Sequence, residues 1–265
     1  MPKRKLKPPA APFYTYTFSE VVENHKGMQT IGKKRDKGFS ETQIHRVCEA
    51  AGGELHNLTH NGVAASVVVL RGGVDKLIGE GGADKLLAEA RAAPYDSKFL
   101  NQKIKPPRSQ VCNKLGRSNN CIADEAQAPD IAAGKGTVVA FKDMPCLAQL
   151  REALPSTFGE DAEGLYAETN FYTDVNDKQV GIGFHGDTER SIVIGVRLGV
   201  ASMPLRFLWY QRDKEVSNEH VIDLHHGDIY AMSWKATGWD WRKDLKGYTL
   251  RHGTGKKAVS KGVGN

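Results

Sequence analysis

Hydrophobic residues in this chain cluster in short runs of strand length, and most of these runs lie in its second half. Short apolar runs bounded by polar or turn residues are typical of buried β-strands. Such runs occur at Ala64–Leu70, Thr137–Phe141, Ser191–Gly199, Val221–Leu224 and Ile229–Met232. They predict that strands dominate the chain after about residue 165.

Helical patterning comes earlier in the chain. It occurs within Thr15–Gly53, where Ser40–Gln43 has the form of a capping box at a helix start. An amphipathic helix is predicted over Asp75–Arg91 and a further helix over Pro145–Leu154. Helices first and strands later indicate an α+β protein in which the helices support the sheets.

Length and composition indicate one folded unit. The chain has 265 residues and 29.1 kDa, with 40% hydrophobic and 26% charged residues, which is ordinary for a globular protein. β-rich folds of this size are often one domain. We therefore predict a single domain over 13–255 with its core at about 165–255, a basic tail over 1–12 and a second basic tail over 256–265. We expect a monomer.

Several classes of protein are disfavoured by the sequence. No apolar run approaches the roughly 18 residues that a membrane-spanning helix needs. The N-terminus is basic and Pro-rich without an apolar segment, so we predict no secretory signal. The cysteines, which lack C-x-x-C spacing, are Cys48, Cys112, Cys121 and Cys146. They fit reduced thiols, and we expect an intracellular protein, cytoplasmic or nuclear.

Positive charge is concentrated in a few segments. The formal net charge is +6 and the isoelectric point about 9.0. Both ends are basic, and a third group comprises Lys103, Lys105, Arg108, Lys114 and Arg117. Clustered Lys and Arg neutralise phosphates, so DNA or RNA is a possible partner. Solvated surface lysines are the alternative interpretation, since charge alone indicates a tendency and not a partner.

The tripeptide His-Gly-Asp occurs twice, at His185–Asp187 and at His226–Asp228. Residues two apart in a strand face one side, so His185 and Asp187 would present an imidazole and a carboxylate together. These are two of the three ligands of the facial triad that binds non-haem Fe(II). The second copy lies between two strand-like runs, where Gly-Asp favours a turn, and we interpret it as structural.

Further motifs accompany the first tripeptide: Asn170-x-Tyr172, Ile182-Gly-x-His-x-Asp, the downstream His-Gly-Asp strand and Thr249-Leu-Arg251. Together they resemble the AlkB-type branch of the 2-oxoglutarate/Fe(II) oxygenases. The resemblance covers roughly Ala167–Gly255, with weaker similarity upstream from about Lys105. The segments GFHGDTER, GDIYAMS and YTLRHGTG also look similar to uncharacterised giant-virus and microbial proteins.

The resemblance implies a double-stranded β-helix, or jelly roll, that holds Fe(II) and 2-oxoglutarate and hydroxylates an unactivated C–H bond. It implies that His185 and Asp187 bind the metal. It also implies that Asn170 and Tyr172 hydrogen-bond 2-oxoglutarate, and that Arg251 pairs with one of its carboxylates. An Arg fork suits a carboxylate better than Lys does. Without the tripeptide nearby, Asn170 and Tyr172 would be interpreted as half-buried strand residues, and the alternative for Arg251 is an ordinary edge-strand residue in a basic tail.

The third metal ligand departs from the family pattern. Family members carry a His before the Arg, but this sequence has no His between Asp228 and Arg251. His252 and Asp240 are the candidates, and His252 is favoured because imidazole suits Fe(II). Neighbouring strand residues face opposite sides, so Arg251 and His252 share a pocket only at a bulge or strand end. A two-ligand site or a pseudo-enzyme remains the alternative.

The resemblance also implies a substrate. N-linked methyl groups on nucleobases are the best-known substrates of the family, which places a carboxylate after the metal pair to contact the base. Glu189 occupies that place and would accept hydrogen bonds from a base amino group; alternatively, Glu189 and Arg190 merely pair on the surface. The competing functions are an oxygenase of a protein or small-molecule substrate, and a non-catalytic nucleic-acid-binding jelly-roll module.

Overall fold

The computed structural model describes residues 12–199, 203–242 and 246–262. The predicted tail over 1–12 lies outside these ranges except for Pro12, and so do the last three residues of the tail over 256–265. The described chain is a mixed α+β structure, mostly β-sheet with a few helices. Its helices include none that is long and apolar enough to cross a membrane. All four cysteines are free thiols.

The α-helices are short and lie before residue 160. They are α1 (Glu41–Ala51), α2 (Gly73–Ile78), α3 (Gly82–Ala92) and α4 (Pro145–Phe158). Short 3-10 helices occupy Ile131–Ala133, Phe141–Asp143, Glu160–Ala162 and Trp234–Thr237.

Strands run through the whole described chain. The first nine are β1 (Phe13–Ser19), β2 (Val21–Glu23), β3 (Thr30–Gly32), β4 (Glu54–Asn57), β5 (Ser66–Leu70), β6 (Lys98–Leu100), β7 (Val111–Asn113), β8 (Ser118–Ala123) and β9 (Val138–Ala140). The others are β10 (Tyr166–Tyr172), β11 (Gly181–His185), β12 (Ile194–Leu198), β13 (Leu205–Gln211), β14 (Lys214–Glu215), β15 (His220–Ile222), β16 (Ile229–Met232) and β17 (Tyr248–Gly255).

Two sheets form the body of the protein. The larger has the order β4-β5-β16-β12-β1-β10-β8-β9, and its pairs are antiparallel except for β8 with β9. The smaller has the order β11-β17-β13-β14, with β15 also paired to β13. The N-terminal strand β1 therefore lies in the middle of the large sheet, between β12 and β10. Two hairpins, β2-β3 and β6-β7, lie outside these sheets.

The large sheet is covered on both faces. Along β1, Tyr16 and Phe18 pack with the helices, whereas Thr15 and Thr17 line a cavity on the other side. This division follows from the alternation of side chains along a strand. A second apolar cluster, which includes Val67 and residues of β13, packs between the two sheets. The layers are thus helices, large sheet and small sheet.

Two predictions of helices need correction, whereas the helix predicted over Pro145–Leu154 is confirmed as part of α4. The helix expected over Asp75–Arg91 is interrupted, because Gly79 and Gly81 have φ of +94° and +73°, a backbone conformation outside the helical region. Helical structure within Thr15–Gly53 is confined to α1, where the capping box at Ser40 is present. The first part of this segment belongs to strand β1. Aromatic residues and Thr alternate there with the period of two that favours a strand.

Candidate metal centre

His185, Asp187 and His252 lie together on the small sheet. His185 at the end of β11 is the cross-strand partner of His252 on β17. Asp187 lies two residues after His185, with its Oδ1 3.5 Å from His185 Nε2 and its Oδ2 3.7 Å from His252 Nε2. One ligand atom from each residue lies within 4.8 Å of the others. Two imidazoles and one carboxylate are a donor set compatible with Fe(II).

The orientation of the His185 ring is set by the backbone. Its Nδ1 lies 2.8 Å from the Gly183 carbonyl oxygen, which can only accept a hydrogen bond. Nδ1 therefore carries a proton, which leaves Nε2, on the side of Asp187, as the ring atom that could bind a metal. A neighbour that fixes the tautomer in this way is a common feature of metal-binding histidines. The register of β11 against β17 shifts between Ile182 and His185, which marks an irregularity next to the centre.

His252 is held in the neutral form that binds a metal. The side chain is buried, and burial, followed by the neighbouring His185 and Arg190, lowers its pKa well below the ordinary value. A neutral imidazole offers a lone pair without first losing a proton. Asp240, the reserve candidate, is not part of this group; its carboxylate pairs with the ammonium of Lys235.

His185, Asp187 and His252 are called the metal-binding group because their ligand atoms could hold a metal ion. The group opens on a cavity of about 270 Å³ between the two sheets. Its walls include Thr15 and Thr17 of β1, Glu168, Asn170 and Tyr172 of β10, Arg197 of β12, and Tyr230 and Met232 of β16. The large sheet supplies one wall of the cavity. The small sheet supplies the other wall, which carries the metal-binding group.

Asn170 and Tyr172 lie where the sequence predicted, on one face of β10 and in this cavity. The ring of Tyr172 is stacked on Phe13, with centroids 4.3 Å apart and planes 1° from parallel. Asn170 Oδ1 is buried and has no hydrogen-bond partner among the described residues. Buried polar atoms are normally paired, so this amide oxygen is available to a water or to a ligand group that donates a hydrogen bond.

Arg251 does not line this cavity. It neighbours His252 within a regular strand, with Leu208 and Phe207 as their respective partners on β13, and therefore faces the opposite side. Its guanidinium pairs with the carboxylate of Asp213 and lies 4.0 Å from the ring centroid of Tyr210. The expected shared pocket would need a strand end at this point, but β17 continues to Gly255.

Arg197 is a buried cation in the cavity wall that the sequence motifs did not indicate. It is 1% exposed, and its guanidinium lies 4.8 Å from the ring centroid of Phe13. Its Nε and Nη1 have no hydrogen-bond partner among the described residues. A buried cation without a paired carboxylate is costly, so the arrangement favours an anionic ligand. The sequence offered one indication of this residue, because Arg197 is the single charge in the apolar run at 192–198.

Tyr230 adds a phenol to the same wall. It is the cross-strand partner of Gly195, and a Cβ at Gly195 would collide with its ring. A glycine at this position therefore lets the ring lie flat against β12, two residues from Arg197. Burial raises the pKa of Tyr230 to about 12, with Arg197 opposing the shift. The hydroxyl therefore stays protonated at neutral pH and is able to donate a hydrogen bond.

Charged side chains continue from the metal-binding group along the cavity. Glu189 lines it and accepts a hydrogen bond from Arg190 Nε at 3.3 Å. Arg190 is 6% exposed and also donates to Glu168 at 3.1 Å. The predicted Glu189–Arg190 pair is thus present, but it lies in the cavity wall and not on the surface. Of the predicted basic cluster, Arg117 lines the cavity, where it pairs with Glu168 at 3.5 Å.

The chain matches no family model. It is similar over nearly its whole length to the uncharacterized protein R156 of Acanthamoeba polyphaga mimivirus. The two are 37% identical over 254 residues, which cover 91% of this chain and 94% of the viral protein. This similarity agrees with the expected kinship to giant-virus proteins.

Proposed function

The chain belongs to the same family as the mimivirus protein, and we propose that it is an Fe(II)/2-oxoglutarate-dependent dioxygenase of the AlkB type. One observation carries the proposal. A His-Asp-His group and a buried arginine without a carboxylate partner among the described residues, Arg197, line one cavity. A metal-binding group beside a fixed cation suits a co-substrate that chelates a metal at one end and carries a carboxylate at the other.

The fold supports this assignment. Two largely antiparallel sheets face each other across the cavity, with β11 and β17 of the small sheet opposite β10 and β12 of the large one. A jelly roll has this arrangement, and we infer that the chain is a jelly roll buttressed by α1–α4.

His185, Asp187 and His252 would hold the metal through two imidazole Nε2 atoms and a carboxylate. Bound Fe(II) would supply the activation of O₂, one atom of which enters the substrate C–H bond while the other enters succinate as 2-oxoglutarate loses CO₂. His185 is already oriented by the Gly183 carbonyl. Pre-orientation reduces the reorganisation needed when a metal binds.

The co-substrate would be held by the large sheet. Arg197 would pair with the distal carboxylate, replacing Arg251 in the role that the family resemblance implied. The protonated Tyr230 hydroxyl is available to donate a second hydrogen bond, and the side-chain NH2 of Asn170 in the same cavity wall to donate a third. Burial strengthens such contacts, because a charged hydrogen bond is stronger in a medium of low dielectric constant.

As substrate we propose a methylated or otherwise modified nucleobase in DNA or RNA, oxidatively demethylated at nitrogen. Glu189 lines the cavity close to the metal-binding group and is available to accept from a base amino group. Lys26, Arg117 and Arg242 add positive charge to the same cavity, and Trp241 an aromatic face. Cations suit phosphate contacts and an aromatic side chain suits stacking on an extruded base.

The test is anaerobic addition of Fe(II) and 2-oxoglutarate to the purified chain. We expect a visible charge-transfer absorption, and in air iron-dependent succinate formation, both lost in His185→Ala. Absence of both signals in the unsubstituted protein would contradict the proposal. DNA or RNA binding unaffected by chelator and by His185→Ala, without succinate formation, would instead establish the non-catalytic binding module.

A further inference from the structure

A carboxyl group from outside the two sheets reaches the same cavity. Glu23 ends strand β2, is half-buried, and lines the cavity together with Glu189. Its Oε1 accepts a hydrogen bond of 2.6 Å from the Gly27 backbone amide. The hydrogen bond to Gly27 uses only Oε1, and no described residue bonds to Oε2, so this oxygen is available to a ligand in the cavity.

The residue after Glu23 fixes its position. Asn24 is 2% exposed and donates from its side chain to Asp96 at 2.7 Å. Lys114 donates to Asn24 Oδ1 at 2.7 Å, and Asn119 donates to the Asn24 carbonyl at 2.6 Å. A buried network of this kind holds the hairpin β2-β3 against β8 and β10. The hairpin therefore gives Glu23 a rigid support. A residue that recognises a ligand needs such a support.

The surroundings of Glu23 favour its neutral form. Burial, with further contributions from Glu189 and Glu168, raises its pKa to about 7, against the Gly27 amide and Arg190, which lower it. The other charged or titratable groups in this part of the cavity wall are His25, Lys26 and Arg117. A protonated carboxyl both donates and accepts a hydrogen bond, whereas an ionised carboxylate only accepts.

We propose that Glu23 is a substrate-contacting residue that determines specificity, acting with Glu189 to bind the polar edge of the base. This inference rests on the proposed function and deepens it. Glu189, held by Arg190, accepts from an amino group, while Glu23 donates to a neighbouring ring nitrogen. The matching substrate is a neutral amino-substituted nitrogen heterocycle with an acceptor beside its donor. A base made cationic by methylation of the ring nitrogen lacks that acceptor.

The experiment compares three variants in fluorescence anisotropy with labelled oligonucleotides that carry N6-methyladenine, 1-methyladenine or unmodified adenine. Glu23→Ala removes both hydrogen-bonding functions. Glu23→Gln keeps a donor and an acceptor without a titrating group. Glu49→Gln is the matched control, because Glu49 is an exposed residue of α1. The same proteins are assayed for kcat and KM with N6-methyladenine between pH 6 and 8.5.

We expect Glu23→Ala to weaken binding of the neutral N6-methyladenine oligonucleotide about tenfold and the 1-methyladenine oligonucleotide less, as loss of one good hydrogen bond would. Glu23→Gln should restore the affinity and abolish the rise of KM above pH 7 that we expect of the unsubstituted protein. Equal losses for all three oligonucleotides, or no difference from Glu49→Gln, would overturn the inference. If oligonucleotide binding depends on Glu23 but no iron-dependent succinate forms, the inference about Glu23 is kept and the proposed oxygenase function is rejected.

Discussion

His185 and His252 are cross-strand partners on β11 and β17, and their ring centroids lie 4.5 Å apart. They are 67 positions apart in the sequence, so the centre depends on the pairing of two distant strands and not on one local motif. Asp187 completes it from the chain segment that follows β11. Loss of any one of the three would leave two candidate ligands.

The first prediction concerns the third ligand. His252→Ala should weaken Fe(II) binding as strongly as His185→Ala does, by more than about 100-fold, because loss of a direct ligand should exceed the 10- to 100-fold cost of losing a supporting partner. Asp240→Asn is the control and should bind Fe(II) normally, since Asp240 pairs with Lys235. Anaerobic titration with Fe(II), or with Co(II) as a spectroscopic substitute, gives the affinities. Normal binding by His252→Ala together with lost binding by Asp240→Asn would move the site to Asp240.

The second prediction concerns stability. A metal that binds the folded chain and not the unfolded chain raises the free energy of unfolding by RT ln(1 + [L]/Kd), about 2.7 kcal/mol at a concentration 100 times Kd. Urea unfolding with and without Fe(II) under anaerobic conditions measures this difference. A chelator should remove it, and His185→Ala should not show it. The same stabilisation in His185→Ala would place the bound metal elsewhere.

The third prediction separates the two arginines. Arg197→Gln should raise the Kd for 2-oxoglutarate about 10- to 150-fold, the equivalent of roughly 1.5–3 kcal/mol for a hydrogen bond to a charged group. Arg251→Gln should leave that Kd unchanged, because Arg251 pairs with Asp213 outside the cavity. Calorimetric titration of 2-oxoglutarate into the metal-loaded proteins measures both. If Arg197→Gln folds poorly, Arg197→Lys is measured in its place. It shows whether a positive charge without the guanidinium is enough for 2-oxoglutarate binding.

The sequence indicated the clustered His-Asp-His side chains better than it indicated the arginine of the cavity wall. His185 and Asp187 share a short motif, and His252 follows from the chemistry of the donor set once the expected His is absent. Arg251 was favoured by its place in a family pattern, but alternation along β17 directs His252 and Arg251 to opposite faces. Arg197 lies in an apolar run, and its place in the cavity wall appears only when β12 is placed opposite the small sheet.

For the fold, too, local signals in the sequence were predictive and long-range pairing was not. The capping box at Ser40 is a local signal and predicted the start of α1. Strand β1 pairs with β10 and β12, more than 140 residues away, so nothing near Phe13–Ser19 in the sequence specifies its place in the sheet. Long-range pairing decides what such a segment becomes, and local propensity is overridden.

The fourth prediction concerns the packing of Tyr230. Gly195→Ala places a methyl group where the ring of Tyr230 lies, and should destabilise the protein by about 1–3 kcal/mol, the usual cost of overpacking. A displaced ring should also weaken 2-oxoglutarate binding. In the double variant Gly195→Ala/Tyr230→Ala the collision is absent, so the two stability losses should not add. Additive losses in urea unfolding would show that the two residues are not in contact.

The last prediction is a loss of stability in mild acid that depends on two histidines joining the sheets. His56 of β4 and His220 of β15 lie at edges of the large and small sheets, and their Nδ1 and Nε2 atoms are 3.3 Å apart. Burial lowers the pKa of both, and His220 further lowers that of His56. The unfolded chain, with ordinary histidine pKa values near 6.5, therefore takes up protons first as the pH falls. Stability contributed by the neutral pair is complete above about pH 6.5 and decreases below it.

Equilibrium unfolding in urea between pH 7.5 and 5 measures this dependence. His220→Gln should flatten the curve below pH 6.5, because one titrating group is removed and the pKa of His56 returns toward its ordinary value. The matched control is His45→Gln, since His45 is an exposed residue of α1 and should leave the curve unchanged. If His220→Gln and His45→Gln lose stability in parallel with the unsubstituted protein, the acid sensitivity arises from carboxylates and not from the histidine pair. A flattened curve in His220→Gln alone would show that proton uptake by the histidine pair causes the loss of stability in mild acid.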